Sequence, residues 1–98
     1  MHSATMRYFF KEDRFDEACE LWRRTILEPA RRAPGMVVIQ FFTARPNALA
    51  IGCWESEERA KEFMATGVFA RFTEAAEGMM DKPPVPERWK LDSYAQGV

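Results

Sequence analysis

Two neighbouring segments of the chain are apolar at both odd and even positions. Met36–Thr43 and Leu49–Trp54 are rich in apolar residues, with β-branched and aromatic side chains that are typical of strands. Between them, Ala44–Asn47 contains proline and asparagine, so the two strands are predicted to form a hairpin. Because successive strand residues point to opposite faces, a sheet built on this hairpin must be covered on both sides.

A strand and a long helix are predicted before the hairpin. The strand is Thr5–Phe10, which carries aromatic residues at both odd and even positions. Asp13 is a candidate N-cap for a helix whose apolar residues recur every three or four positions over residues 15–33. Pro29 lies within that pattern and lacks an N–H donor, so a kink is expected near Thr25.

Two helices and a strand are predicted after the hairpin. Ser56 is a candidate N-cap, and Gly67 is expected to end the helix that begins there. The 3.6-residue period resumes over Val68–Met79 and predicts a further helix. The proline-rich Asp81–Pro86 is expected to be extended along the surface, and Glu87–Tyr94 is predicted to be the last strand.

The predicted order of elements is β-α-β-β-α-α-β over 98 residues, which favours a single domain spanning residues 1–98. It matches an α+β, ferredoxin-like β-α-β-β-α-β unit with a four-stranded antiparallel sheet. The helices of such a unit cover one face of the sheet only. Since the other face is also predicted to be apolar, a second copy of the chain is expected to cover it, giving a homodimer.

Composition and charge exclude several other classes of protein. A formal net charge of −1 gives no electrostatic footprint for nucleic acid, and no apolar run reaches the length of about 20 residues that spans a membrane. Met1–Met6 lacks the apolar core of a secretory signal, so a cytoplasmic location is expected. Cys19 and Cys53 are expected to be free thiols. His2 is the only histidine and is expected in a fraying tail, so cysteine and histidine are too few for a protein zinc site, and a His-ligated haem is not predicted.

Three segments of the chain carry a family resemblance. Cys53–Phe63 (sequence CWESEERAKEF), followed by Gly67–Phe69, resembles the antibiotic biosynthesis monooxygenases, in which a tryptophan closes the third strand and a W-x-S-x-E pattern opens the helix. Pro34–Val37 is similar to their link from the first helix to the second strand. The resemblance implies a dimeric α/β barrel. It also implies cofactor-independent oxidation of a small aromatic or polyketide-like molecule.

The family has branches that differ in their site residues. In the quinone-forming branch, the resemblance implies an asparagine four residues before the strand-three tryptophan and a tyrosine six residues after it. Trp54 matches the tryptophan, whereas Ala50 and Ala60 occupy the other two positions. In the haem-degrading branch, the corresponding histidine and tryptophan are replaced by Thr73 and Phe63. The expectation is therefore a site without a cofactor.

The face of the third predicted strand gives the first site candidates. Ala50, Gly52 and Trp54 share one face, which the resemblance places beneath the helices. Two small residues beside a large aromatic ring leave room for a flat ligand that stacks on Trp54. Alternatively, the small residues allow a helix to approach the sheet closely, and Trp54 belongs to the core.

Two polar residues of the first strand are candidate catalytic groups. Arg7 could anchor an acidic or phenolate ligand, or it could pair with Asp92 or Glu55 or lie at an exposed strand end. Tyr8 could donate a proton or bind a carbonyl oxygen, or it could be a core ring.

The remaining candidates lie at helical spacing. Trp22, Phe63, Met64 and Phe72 could form the wall of a pocket, although core packing is the alternative for each of them. Arg71 could reach the pocket mouth or lie on a solvated face. Three functions thus stay open: a cofactor-free monooxygenase, a non-catalytic dimer that binds a small hydrophobic molecule, and a purely structural dimer.

Overall fold

The computed structural model describes residues 1–97, which form an antiparallel sheet with helices on one face. The four strands are β1 (His2–Phe10), β2 (Met36–Ala44), β3 (Asn47–Trp54) and β4 (Met80–Lys90), arranged in the order β2-β3-β1-β4. All neighbouring strands are antiparallel. This topology confirms the predicted α+β, ferredoxin-like fold.

The helices follow β1 and β3. They are α1 (Phe15–Trp22), a π-helical turn (Arg23–Leu27), α2 (Glu28–Arg31), α3 (Glu57–Met64) and α4 (Val68–Ala75). α1, the π-helical turn and α2 follow one another directly and form one continuous helical segment. A π-helical turn that contains Thr25 lies where the kink was predicted, since Pro29 has no N–H to donate to the carbonyl four residues earlier.

One predicted helix cap is confirmed and the other is wrong. The Ser56 hydroxyl accepts a hydrogen bond from the Arg59 N–H at 3.2 Å, as expected of an N-cap. Asp13 instead lies in a 3₁₀ turn, Glu12–Arg14, and α1 begins at Phe15 without a side-chain cap.

Both ends of the chain pair further into the sheet than the sequence predicted. β1 begins at His2, which lies opposite Trp54 on one side and Lys90 on the other, so the predicted fraying tail is wrong. β4 begins at Met80 instead of Glu87 and ends at Lys90, and residues 91–97 have no regular structure. The proline-rich stretch joins the sheet because β4 is an edge strand, which tolerates residues without an N–H donor.

The helix predicted over Val68–Met79 is shorter than expected. α4 ends at Ala75, and Gly78 adopts a left-handed conformation with φ of 84° in the turn that leads to β4. Met79 therefore packs in the core from this turn and not from a helix.

The two faces of the sheet have different surroundings. On the helix side, Tyr8, Phe10, Ala48, Ala50 and Trp54 are buried. The other face, here called the open face, carries the apolar residues Val38, Phe42, Leu49, Ile51, Cys53, Val85 and Trp89 together with Ser3, Thr5, Arg7, Gln40 and Glu87. Phe42 and Trp89 are each 50% exposed there. The predicted apolar character of both faces is thus present in the single chain.

Candidate functional site

A cavity of about 290 Å³ lies between the helix side of the sheet and the helices α3 and α4. Its size is at the lower end of the roughly 300–1,000 Å³ found for small-molecule sites. Most of its lining is apolar, and its charged residues are contributed by α3 and β4. The cavity therefore suits a small, largely hydrophobic molecule.

The floor of the cavity is the strand face that the sequence singled out. Ala50, Gly52 and Trp54 all line it, because alternate residues of β3 point towards the helices. A methyl group added at Gly52 would lie 3.2 Å from the indole nitrogen of Trp54, so the indole leans across the glycine. The absence of a side chain at this position keeps the space open.

Trp54 combines a ring surface with a free donor. Its ring centroid lies 5.1 Å from that of Phe63 at an angle of 37°, and the residue is only 3% exposed. Among the side-chain hydrogen bonds of residues 1–97, none is donated by the Trp54 indole N–H. Since a buried indole N–H usually has a partner, this group is available to a polar atom of a ligand.

The predicted wall residues divide into two groups. Trp22, Phe63 and Met64 line the cavity, and Met64 is 45% exposed at its mouth. Phe72 does not reach it and is fully buried in the core beside Phe10. The Trp22 ring stacks on another aromatic ring, and its indole N–H is buried without a partner in the described part of the chain.

Tyr8 is a core residue and does not line the cavity. Its ring centroid lies 5.4 Å from that of Phe10 and 5.3 Å from that of Phe72, and the residue is buried. Burial raises the pKa of its hydroxyl well above the ordinary range, and the smaller, opposing effect of the nearby Trp22 indole does not offset it. The prediction that Tyr8 acts on a ligand is not supported by its position.

Replacing Tyr8 with phenylalanine is expected to remove an alkaline loss of stability. The unfolded chain loses the tyrosine proton near pH 10, whereas the folded protein holds it to higher pH. Ionisation therefore stabilises the unfolded state as the pH rises above about 10, and the free energy of unfolding falls by up to about 1.4 kcal/mol per pH unit. Urea titrations between pH 8 and about 11 should show a shallower decline for Tyr8→Phe.

The matched control for this variant is Tyr94→Phe. Tyr94 lies in the irregular segment after β4 and is exposed, so its replacement should leave the alkaline decline unchanged. An equal decline in wild type and Tyr8→Phe would contradict the burial argument.

Arg7 lies on the open face, away from the cavity. It alternates with Tyr8 along β1, so the two side chains must point to opposite sides of the sheet. Its guanidinium lies 3.9 Å from the Glu87 carboxylate, and both side chains are exposed. The ion-pair alternative is thus the observed one, with Glu87 as the partner and not Asp92 or Glu55.

Arg71 is also absent from the cavity. Its guanidinium donates a hydrogen bond to the carbonyl oxygen of Thr66 at 3.0 Å and so bridges the turn at Gly67. Thr73, which stands where the haem-degrading branch has its histidine, is exposed on α4 and does not line the cavity.

The mouth of the cavity holds residues that the sequence reading missed. His2 lines it from the start of β1, directly across from Trp54. Glu57 of α3 lies 3.6 Å from Lys61 and 3.6 Å from Arg88 of β4. The alternation of Ala4 and Met6 with polar residues could have extended the first strand to His2, but nothing local in the sequence relates Arg88 to α3.

Within residues 1–97, no three histidine, cysteine, aspartate or glutamate side chains are grouped so that they could hold a metal ion. No helix of that part of the chain has the length and hydropathy needed to cross a bilayer.

No protein-family profile matches the sequence, and no curated protein does. Solved structures do match. A crystal structure of an antibiotic biosynthesis monooxygenase superimposes with a TM-score of 0.80 at 17% identity, covering 95% of this chain and 100% of the other. The chain has the fold of the antibiotic biosynthesis monooxygenases.

Two further structures with this fold come from Streptomyces. The ActVA-Orf6 monooxygenase of Streptomyces coelicolor, in complex with nanaomycin D, has a TM-score of 0.81 at 17% identity, covering 99% of this chain and 92% of its own. SnoaB, a cofactor-independent oxygenase of Streptomyces nogalater, has a TM-score of 0.80 at 16% identity, covering 95% of this chain and 94% of its own. The likeness confirms the α+β, ferredoxin-like fold of the single chain.

Proposed function

We propose that the chain is a homodimer that binds a small aromatic or polyketide-like molecule in this cavity and oxidises it with molecular oxygen, without a cofactor. The observation that carries the proposal is the apolar cavity whose floor places Ala50 and Gly52 beside Trp54. Proteins of the same fold include a cofactor-independent oxygenase and a monooxygenase in complex with nanaomycin D.

The proposed reaction converts an activated methylene group to a carbonyl group. Loss of a proton from a methylene between aromatic or carbonyl groups gives a carbanion that can pass one electron to oxygen. Recombination of the two radicals forms a hydroperoxide, and loss of water leaves the carbonyl, so CH₂ and O₂ become C=O and H₂O. The protein contributes binding, orientation and removal of water around the anion.

His2 is the proposed proton acceptor. It lines the cavity and lies opposite Trp54 in the sheet, and imidazole is the side chain that most often acts as a general base. Tyr8 and Arg7, the groups that the sequence suggested, lie outside the cavity.

A second function, ligand binding without catalysis, is favoured by one observation. Ala50 and Ala60 line the cavity at the positions where the resemblance implied an asparagine and a tyrosine. Neither side chain can form a hydrogen bond with a phenolic ligand. The chain would then hold a hydrophobic molecule and release it unchanged.

Oxygen uptake with anthrone separates the two functions. The enzyme should consume one molecule of oxygen for each anthrone oxidised, and His2→Gln should lower the rate by about 100-fold, as expected for loss of a general base. Anthrone affinity, measured by quenching of tryptophan fluorescence, should stay within about twofold because glutamine preserves most of the contact surface.

Each outcome has a distinct meaning. Binding without oxygen uptake would contradict catalysis and support the binding function. Full activity of His2→Gln would remove the assigned role of His2 alone. Neither binding nor uptake would contradict both functions for this class of ligand.

The homodimer is proposed from the open face. Phe42, Val38 and Trp89 are substantially exposed there, and Leu49, Ile51 and Cys53 lie between them in the central part of the sheet. A surface of this kind is unusual on a protein that stays alone in water, and a two-fold symmetric copy covers it with the same residues.

A further inference from the structure

We propose that the ligand of the cavity carries an anionic group, such as a carboxylate, which Arg88 and Lys61 bind at the mouth. The inference rests on the proposed function in one respect, namely that the cavity is the ligand site. It adds the chemical class of the ligand: a planar aromatic acid.

Two cationic side chains share a single carboxylate at the mouth. Lys61 follows Glu57 by one helical turn on α3, and Arg88 reaches the same carboxylate from β4. Both contacts involve the Glu57 Oε1 atom at 3.6 Å, which is longer than a hydrogen bond. The N–H donors of both cations are therefore free to bind a second anion.

The remaining acidic residue of the lining does not neutralise this pair. Glu87 is opposite Thr5 in the sheet register, which places its side chain on the open face, and its carboxylate pairs there with Arg7 at 3.9 Å. The side chains of Glu57, Lys61 and Arg88 thus leave one positive charge in excess at the mouth.

Arg88 is placed on the cavity side by the sheet register. It lies opposite Ala4, which also lines the cavity, and residues directly opposite each other share a face of the sheet. Its guanidinium can bind both oxygens of a carboxylate in one plane, which an ammonium group cannot do.

The interior of the cavity requires the rest of the ligand to be apolar. Trp54 and Phe63 offer ring surfaces at the floor and wall, and no acidic side chain other than those of the mouth lines the cavity in the described chain. A ligand with its ring inside and its acid outwards matches both parts of the site.

The test compares 2-naphthoate with 2-naphthamide, a neutral molecule of nearly the same shape, by titration calorimetry. At low salt the acid should bind about three- to fivefold more tightly, as expected for partly exposed ion pairs. The preference should disappear in about 1 M sodium chloride, where the screening length falls to about 3 Å. Glu57→Gln should increase the preference, because it removes the competing carboxylate.

The variant that decides the assignment is Lys61→Met with Arg88→Met. It should bind acid and amide equally, with the affinity for the amide unchanged. The matched control is Arg31→Met, since Arg31 is also exposed and paired with a glutamate on a helix but does not line the cavity. This control should keep the full preference.

Binding of the amide distinguishes a failure of the inference from a failure of the proposed function. If the amide binds and the acid has no advantage, the anion site is wrong and the cavity remains the ligand site. A preference that survives in the double variant also overturns the anion site. If neither molecule binds, the cavity as an aromatic site and the anion site at its mouth are both wrong.

Discussion

Replacing Phe42 with aspartate is expected to convert the proposed homodimer into monomers by weakening the association about 100- to 1,000-fold. Phe42 is half exposed on the open face, directly across from Leu49 in the sheet. A carboxylate enclosed between two sheets without a partner is strongly destabilising, by roughly 3–4 kcal/mol, which corresponds to that change in the dissociation constant. A two-fold symmetric interface of the proposed kind would contain the substitution twice.

Light scattering coupled to size exclusion at micromolar concentration measures the effect. Thr73→Asp is the matched control: it adds the same charge to an exposed position of α4, on the helix side of the molecule, and should leave the dimer intact. Far-ultraviolet circular dichroism should be unchanged in both variants, because neither position is in the core. A monomeric wild type, or an equally stable dimer in Phe42→Asp, would contradict the association through the open face.

The sheet was predictable because its strongest signal is local. The run Met36–Ala44 and the strand Asn47–Trp54 are apolar at both parities, and the turn residues between them fix the hairpin. An irregularity near Thr25 was predictable for the same reason, since Pro29 removes one particular donor whatever the rest of the fold does, and the π-helical turn lies at that position.

The edges of the sheet were not predictable, because pairing decides them. The prolines between Met80 and Lys90 argue against a strand when the segment is read alone, and only its edge position makes them acceptable. The alternation of Ala4 and Met6 with polar residues is the only local signal that extends the first strand towards His2. His2 is ordered by Trp54 and Lys90, residues far along the chain.

The placement of the candidate site residues was predictable where strand alternation determines it. Ala50, Gly52 and Trp54 had to share a face, and the same alternation places Tyr8 in the core and Arg7 on the open face. The sequence alone did not determine whether the even-numbered or the odd-numbered residues of β1 face the helices next to the cavity. The charged mouth depends on contacts between α3 and β4, which have no local pattern.

Replacing Gly52 with valine is expected to lower the affinity for aromatic ligands by about 100-fold or more while the fold persists. The first carbon of the new side chain would already lie 3.2 Å from the Trp54 indole nitrogen, and its branches would occupy the cavity floor. The backbone does not require glycine, since only Gly35, Gly67 and Gly78 have positive φ among the described residues. Valine suits a strand, so the free energy of unfolding should change by no more than about 1 kcal/mol.

The control for this variant is Cys53→Val at the next residue of β3. Cys53 points to the open face, so the same side chain added there should leave ligand affinity unchanged. Calorimetric titration with 2-naphthamide measures the affinity that the cavity floor provides. The amide carries no charge, so the proposed anion contacts of Lys61 and Arg88 do not contribute. Loss of binding with unaltered stability would mean that the role of Gly52 is to leave room for the ligand above the sheet. Equal affinity in Gly52→Val and wild type would mean that the ligand lies elsewhere, and the role given to Trp54 would then be wrong.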